Sequence, residues 1–247
     1  MTLDVRFELQ QAIVENQLVL HYQPIVTTRD RALVAVEALV RWRHPTRGIL
    51  PPSQFVPALE RAGLARDLTL WVLREAILQT AVWKRDRQPL AVAVNMSPEN
   101  LRDPHFRRLL EITLRAVGSP ELLIAEIPAA TLTSPAQLTS LSLMREKGIR
   151  VAIDDVVGPT DLTDVPADIV KIGRGLAGRF SIDPRARSDA ADIVREAKKQ
   201  GRIVVAVGVE DRLALPMLAG LGCDAVQGFA LAQPMSTAEL SSWRPNQ

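Results

Sequence analysis

The chain has 247 residues, 47% hydrophobic and 23% charged, with 30 Lys and Arg against 28 Asp and Glu. High apolar content with a net charge of only +2 excludes intrinsic disorder, and no apolar run is long enough to cross a membrane. A single cysteine, Cys223, excludes a disulfide framework and predicts a reducing, cytoplasmic setting. No apolar stretch follows Met1, so no signal peptide is predicted. The bases are scattered, as in Arg107-Arg108 and Lys198-Lys199, so neither direct nucleic-acid binding nor membrane binding is predicted.

Strand-type runs and helical patterns alternate from end to end. The predicted strands are Leu18–Val26, Leu33–Trp42, Leu90–Met96, Leu122–Ile127, Arg150–Asp155, Ile169–Ile172, Arg202–Val209 and Ala225–Ala230. Several are apolar on both faces, as parallel strands covered by helices are. The predicted helices are Ser53–Ala62, Leu68–Trp83, Asp103–Val117, Pro135–Lys147, Arg187–Gln200, Asp211–Leu221 and Thr237–Trp243. Eight strands alternating with helices over this length predict an α/β fold, a (β/α)8 barrel, in one domain spanning residues 1–247. A doubly wound open sheet is the alternative, but no GxGxxG turn occurs. The first connection, Thr27–Ala32, is too short for a crossover helix. The first strand is therefore expected to run against the second, giving a modified barrel with a reversed first strand.

In such a barrel the chemistry sits at the carboxyl ends of the strands. Read in order, those ends carry Glu37, Asn95, Glu126, Asp154-Asp155, Lys171, Val207 and Gln227. Charged groups inside apolar strands are costly unless paired or bound to metal, and an oxygen-rich set suits a hard divalent cation. Taken singly, each has a structural alternative. Asp154-Asp155 could cap a helix, Glu126 could pair with Arg41, and Lys171 could lie on the surface. Joint placement at successive strand ends argues against that. His21, His44 and His105 show no metal-binding spacing.

The residues resemble the EAL domain family, the cyclic-di-GMP phosphodiesterases of bacteria. The resemblance rests on His21-Tyr-Gln-Pro-Ile-Val26, Glu37-Ala-Leu-Val-Arg-Trp-Arg-His-Pro45, Phe55-Val-Pro and Val94-Asn-Met-Ser97. It continues through Ala125-Glu-Ile127, Ile153-Asp-Asp155, Lys171-Ile, Gly208-Val-Glu210 and Gly222-Cys-Asp-Ala-Val-Gln-Gly-Phe229. It implies a barrel with a reversed first strand, Mg²⁺ or Mn²⁺, and hydrolysis of cyclic-di-GMP to the linear dinucleotide. Position by position, it implies Glu37, Asn95, Glu126 and Asp154 as metal ligands and Asp155 as ligand to a second metal. Lys171 matches the lysine near the attacking water, and Gln227 a supporting glutamine. Gln23, Leu39 and Arg41 match residues that touch the dinucleotide, Arg41 through a phosphate.

Departures from the family pattern cluster around the same centre. Val207 stands where the family has a glutamate, Ala129 where a glutamate steadies the loop after the fifth strand, and Gly173 where an aspartate follows Lys-Ile. The segment after Asp155 is about four residues short against that pattern. Valine offers no lone pair and cannot titrate. The sequence therefore predicts a cyclic-di-GMP receptor and signalling module without phosphodiesterase activity, acting through a protein partner. An interaction scaffold that ignores the nucleotide and a residual, slow phosphodiesterase are the alternatives.

Overall fold

The computed structural model describes residues 3–97, 100–101, 103–157 and 164–244. Its strands are β1 (Leu18–Thr27), β2 (Leu33–His44), β3 (Gly48–Leu50), β4 (Ala91–Asn95), β5 (Leu123–Pro128), β6 (Arg150–Val156), β7 (Ile169–Ile172), β8 (Ile203–Ala206) and β9 (Ala225–Val226). Around them lie α1 (Leu3–Val14), α2 (Val56–Arg61), α3 (Ala65–Arg85), α4 (Pro104–Val117) and α5 (Pro135–Glu146). The chain continues with α6 (Arg174–Ala177), α7 (Pro184–Lys199), α8 (Ala214–Leu221) and α9 (Thr237–Ser242).

The sheet closes. Parallel pairing runs from β2 through β4, β5, β6, β7 and β8 to β9, and β1 joins β9 to β2 antiparallel to both. The short β3 pairs with the end of β2. This is the expected (β/α)8-type barrel with its first strand reversed. The reversal has a local cause. After Thr27 the chain turns back within a few residues, with Arg31 at φ 58° and the Thr27 N–H donating to the Ala32 carbonyl at 2.9 Å. A hairpin of that length joins antiparallel neighbours only.

Sequence signals set most helix boundaries. Asp183 accepts from the Arg185 N–H and Pro184 fills the first turn, so α7 begins three residues before the predicted Arg187. Ser134 and Gln137 form a capping box on α5, as Ser236 and Glu239 do on α9. Along α3, Leu68, Val72, Leu73, Ala76, Ile77 and Thr80 are buried on one stripe against the barrel. Three elements escape the periodicity: α1, which buries Leu9 and Ala12 but exposes Phe7 and Val14, and the short α6 and β3.

The barrel interior is layered. Ile25, Ala35, Ala91, Ala93, Ile124, Ala152, Ile169, Val205 and Ala225 form a buried apolar cluster of its own. Side chains two residues apart share a face of a strand. One step from this floor toward the mouth therefore brings Gln23, Glu37, Asn95, Glu126, Asp154, Lys171, Val207 and Gln227 into the next layer. On β1 the step runs backward in sequence, from Ile25 to Gln23, because that strand is reversed. Pairing agrees: Gln23 lies opposite Glu37, and Asn95 opposite Glu126.

Candidate functional site

Lys171 is the centre of this polar layer. It is 2% exposed, so it is no surface lysine. Its Nζ lies 2.5 Å from Glu126 Oε1, 3.5 Å from Glu37 Oε2 and 3.8 Å from Asp154 Oδ1. The structural alternative of a Glu126–Arg41 pair is thereby replaced by Glu126–Lys171. Glu37 is held on both oxygens, by Asn95 Nδ2 at 2.8 Å and Gln227 Nε2 at 2.7 Å. Gln227 Nε2 also donates to Gln23 Oε1 at 3.0 Å, and Gln23 Nε2 donates to the Ala232 carbonyl at 3.0 Å. One network thus joins residues from β1, β2, β4, β5, β6 and β7 with Gln227 beyond β9.

Its electrostatics follow from burial. Three carboxylates face one ammonium, a surplus of negative charge in a place that solvates ions poorly. Burial, together with the charges of Glu37 and Asp154, pushes the Glu126 carboxyl up to about 8 despite the attraction of Lys171. Burial raises Asp154 too, helped by Glu37 and the neighbouring Asp155. Glu37 moves the other way. Its burial penalty is outweighed by Lys171 and by the donors Gln227 and Asn95. Burial opposes the Lys171 ammonium, but its three carboxylate partners leave it above the ordinary lysine range.

The donor chemistry fits a divalent cation. Glu126 Oε2, Asp154 Oδ1 and Gln227 Oε1 are buried without a hydrogen-bond partner. A cation would satisfy such oxygens and cancel the surplus charge. Among the described residues no group of three or more His, Cys, Asp or Glu side chains is already arranged to hold a metal ion, and Lys171 stands amid the carboxylates. Asp155 is exposed and lies at a register break of β6 with φ 53°. Its Oδ1 would sit 2.2 Å from a Cβ on Gly173, so the carboxylate fills the space that any larger residue at 173 would need.

Above the layer opens a cavity of about 320 Å³ lined by Gln23, Glu37, Leu39, Arg41, Val207 and Gln227. Arg41 donates to the Val40 carbonyl at 2.9 Å and feels the charge of Glu37. Leu39 also borders a larger, mostly apolar cavity of about 800 Å³ that reaches Asn95 and α3. Arg174, Glu210, Phe229 and Pro234 line the smaller cavity as well, and sequence reasoning assigned them no role. For Arg174, Glu210 and Phe229 the signal was positional, since each follows a strand end within four residues. Gly228 is needed for close approach, since a Cβ there would meet the Val209 carbonyl oxygen at 2.1 Å. Ala129 begins a single turn of 3-10 helix after β5. The shortened segment after Asp155 falls largely on residues 158–163, which lie outside the described residues.

Residues 6–234 match the EAL domain model. The chain belongs to the EAL domain family. It is 36% identical to an uncharacterized signaling protein of Caulobacter vibrioides over 96% of its length, spanning 30% of that protein. It is 34% identical to the cyclic di-GMP phosphodiesterase NbdA of Pseudomonas aeruginosa over 98% of its length, spanning 32% of that protein. The chain thus spans about a third of the length of these curated relatives. Among solved structures, the PaMucR phosphodiesterase in complex with c-di-GMP superposes with a TM-score of 0.90 at 32% identity, covering 96% of this chain and all of that one. These relatives correct one expectation. The residues at Val207, Ala129 and Gly173 predicted a chain that is not an enzyme, whereas several of the proteins it matches along nearly its whole length, NbdA and PaMucR among them, are named phosphodiesterases. Among the described residues no helix is long and apolar enough to cross a membrane.

Proposed function

We propose that this EAL domain binds cyclic-di-GMP at the carboxyl mouth of its barrel and hydrolyses it slowly to the linear dinucleotide, with Mg²⁺ or Mn²⁺ as cofactor. The observation that carries the reading is the buried oxygen-rich layer, with oxygens on Glu126 and Asp154 that lack a hydrogen-bond partner, directly beneath the cavity that holds Arg41. Glu37, Asn95, Glu126 and Asp154 would hold the cation, with Asp155 beside a second one. When bound, such an ion polarises a phosphoryl oxygen and makes water a better nucleophile. Gln227 and Gln23 fix the Glu37 carboxylate through their hydrogen bonds. Lys171 keeps an ammonium beside Glu126, Glu37 and Asp154 and holds these carboxylates together beneath the mouth. Arg41 and Leu39 hold the dinucleotide.

Val207 is the reason for slowness. An apolar side chain in this layer can neither accept a proton nor position a water, and loss of one such group typically costs about 10² to 10⁴ in rate. Slow turnover leaves the nucleotide bound for longer. The same site then serves as the receptor of a signalling module that passes its state to a protein partner in the cytoplasm.

Calorimetry with cyclic-di-GMP, with and without Mg²⁺, followed by product analysis, tests the reading. Binding is expected, with linear product accumulating only in metal. Arg41→Ala is expected to weaken binding by about 1.5 to 3 kcal/mol, the range for a hydrogen bond to a charged group. Absence of binding by the wild type would refute the assignment. Binding with unchanged affinity in Arg41→Ala would move the ligand away from this cavity.

A further inference from the structure

Arg174 occupies an unusual place at the mouth. It follows Gly173, whose missing side chain makes room for Asp155, and it opens α6 immediately after β7. Its stem lies across Gly208: a Cβ on that glycine would stand 2.5 Å from Arg174 Cγ, and the glycine itself is at φ +69°. The arginine therefore crosses the end of β8 next to Val207, at the position where the layer has lost its polar group. Beyond Gly208 its guanidinium pairs with Glu210. The side chain remains 69% exposed and lines the same cavity as Arg41.

We propose that Arg174 is a second phosphate-positioning residue for the cyclic dinucleotide, complementing Arg41. This rests on the reading that the cavity binds cyclic-di-GMP. The ligand is a ring with two phosphates, and Arg41 comes from one side strand only. A second guanidinium in the same cavity supplies the other pair of donors in the fork geometry that phosphate oxygens accept. In the free protein Glu210 keeps that fork in place. An ion pair this exposed is weak, so the guanidinium can turn from carboxylate to phosphate at little cost. The contact reads the phosphate and not the base, so it contributes affinity and orientation. The close fit of the stem over Gly208 fixes where the guanidinium is delivered.

The test is calorimetric titration of cyclic-di-GMP into wild type, Arg174→Ala and Arg174→Met, with circular dichroism as the folding control. Arg174→Met keeps the aliphatic stem over Gly208 and removes only the charge. Both variants are expected to bind about tenfold more weakly than wild type, in line with a lost charge-assisted contact, and to show a shallower dependence of affinity on salt. Wild-type affinity in Arg174→Met overturns the proposal, whatever Arg174→Ala does, because the charge would then contribute nothing. Failure of the wild type itself to bind overturns the functional reading and this inference with it. The two failures are therefore separate results of one titration series.

Discussion

Lys171→Met removes the ammonium at the centre of the polar layer and leaves a side chain of similar length. Lys171 and Glu126 are 2% and 1% exposed, and Nζ contacts three carboxylates within 3.8 Å. Breaking a buried pair by deleting one partner costs about 3–5 kcal/mol, here because the ionised Glu37 carboxylate loses its counter-ion in a place that solvates it poorly. At a denaturant slope of about 3 kcal/mol/M, that loss lowers the urea midpoint by roughly 1 to 1.7 M. Lys198 provides the control. Its Nζ lies as close to Asp224, at 2.5 Å, but the partners are 38% and 41% exposed. Lys198→Met is therefore expected to cost less than about 1 kcal/mol. Divalent cation should restore more stability to Lys171→Met than to wild type, since it would satisfy the same oxygens. The assay is equilibrium urea unfolding followed by circular dichroism, with and without Mg²⁺. Equal destabilisation by the two lysine changes would refute the argument that burial, and not distance, sets the strength of the Lys171 cluster.

Further outcomes follow from other groups. In metal-free protein, burial pushes the Glu126 carboxyl from the ordinary 4.5 up to about 8, so its share of stability is complete below pH 4.5 and is lost as pH rises through 8. Urea midpoints measured from pH 5 to 8.5 should fall in wild type and fall less in Glu126→Gln. Burial raises the Cys223 thiol to about 12, so the native protein should resist an aromatic disulfide reagent at pH 8 and react once unfolded. Rapid native labelling would contradict that burial. Gly228→Ala places a methyl group 2.1 Å from the Val209 carbonyl oxygen, and thermal unfolding should show a loss of at least about 2 kcal/mol, in the range of overpacking. A stability equal to wild type would mean that the segment after β9 moves freely.

What the sequence determined by itself is the barrel and the membership of its polar layer. Alternation along each strand is a local property with a period of two residues, so it places Glu37 above Ala35, Glu126 above Ile124 and Lys171 above Ile169 without knowledge of any neighbour. The hairpin at Thr27–Ala32 likewise fixed the reversal of β1, because chain length alone forbids a crossover. Only the tertiary structure decided who meets whom. Spacing left Glu126 free to pair with Arg41 and left Lys171 free to face solvent. Closure of the sheet sets the stagger between strands, and that stagger brings Lys171 to Glu126 while leaving Arg41 on the rim. The same is true of Arg174, whose approach to Gly208 depends on β7 and β8 lying side by side. Helix α1 was illegible for a related reason: it packs against α2 and α3, which lie further along the chain, and buries Leu9 and Ala12 in a pattern too sparse to read as a helical stripe.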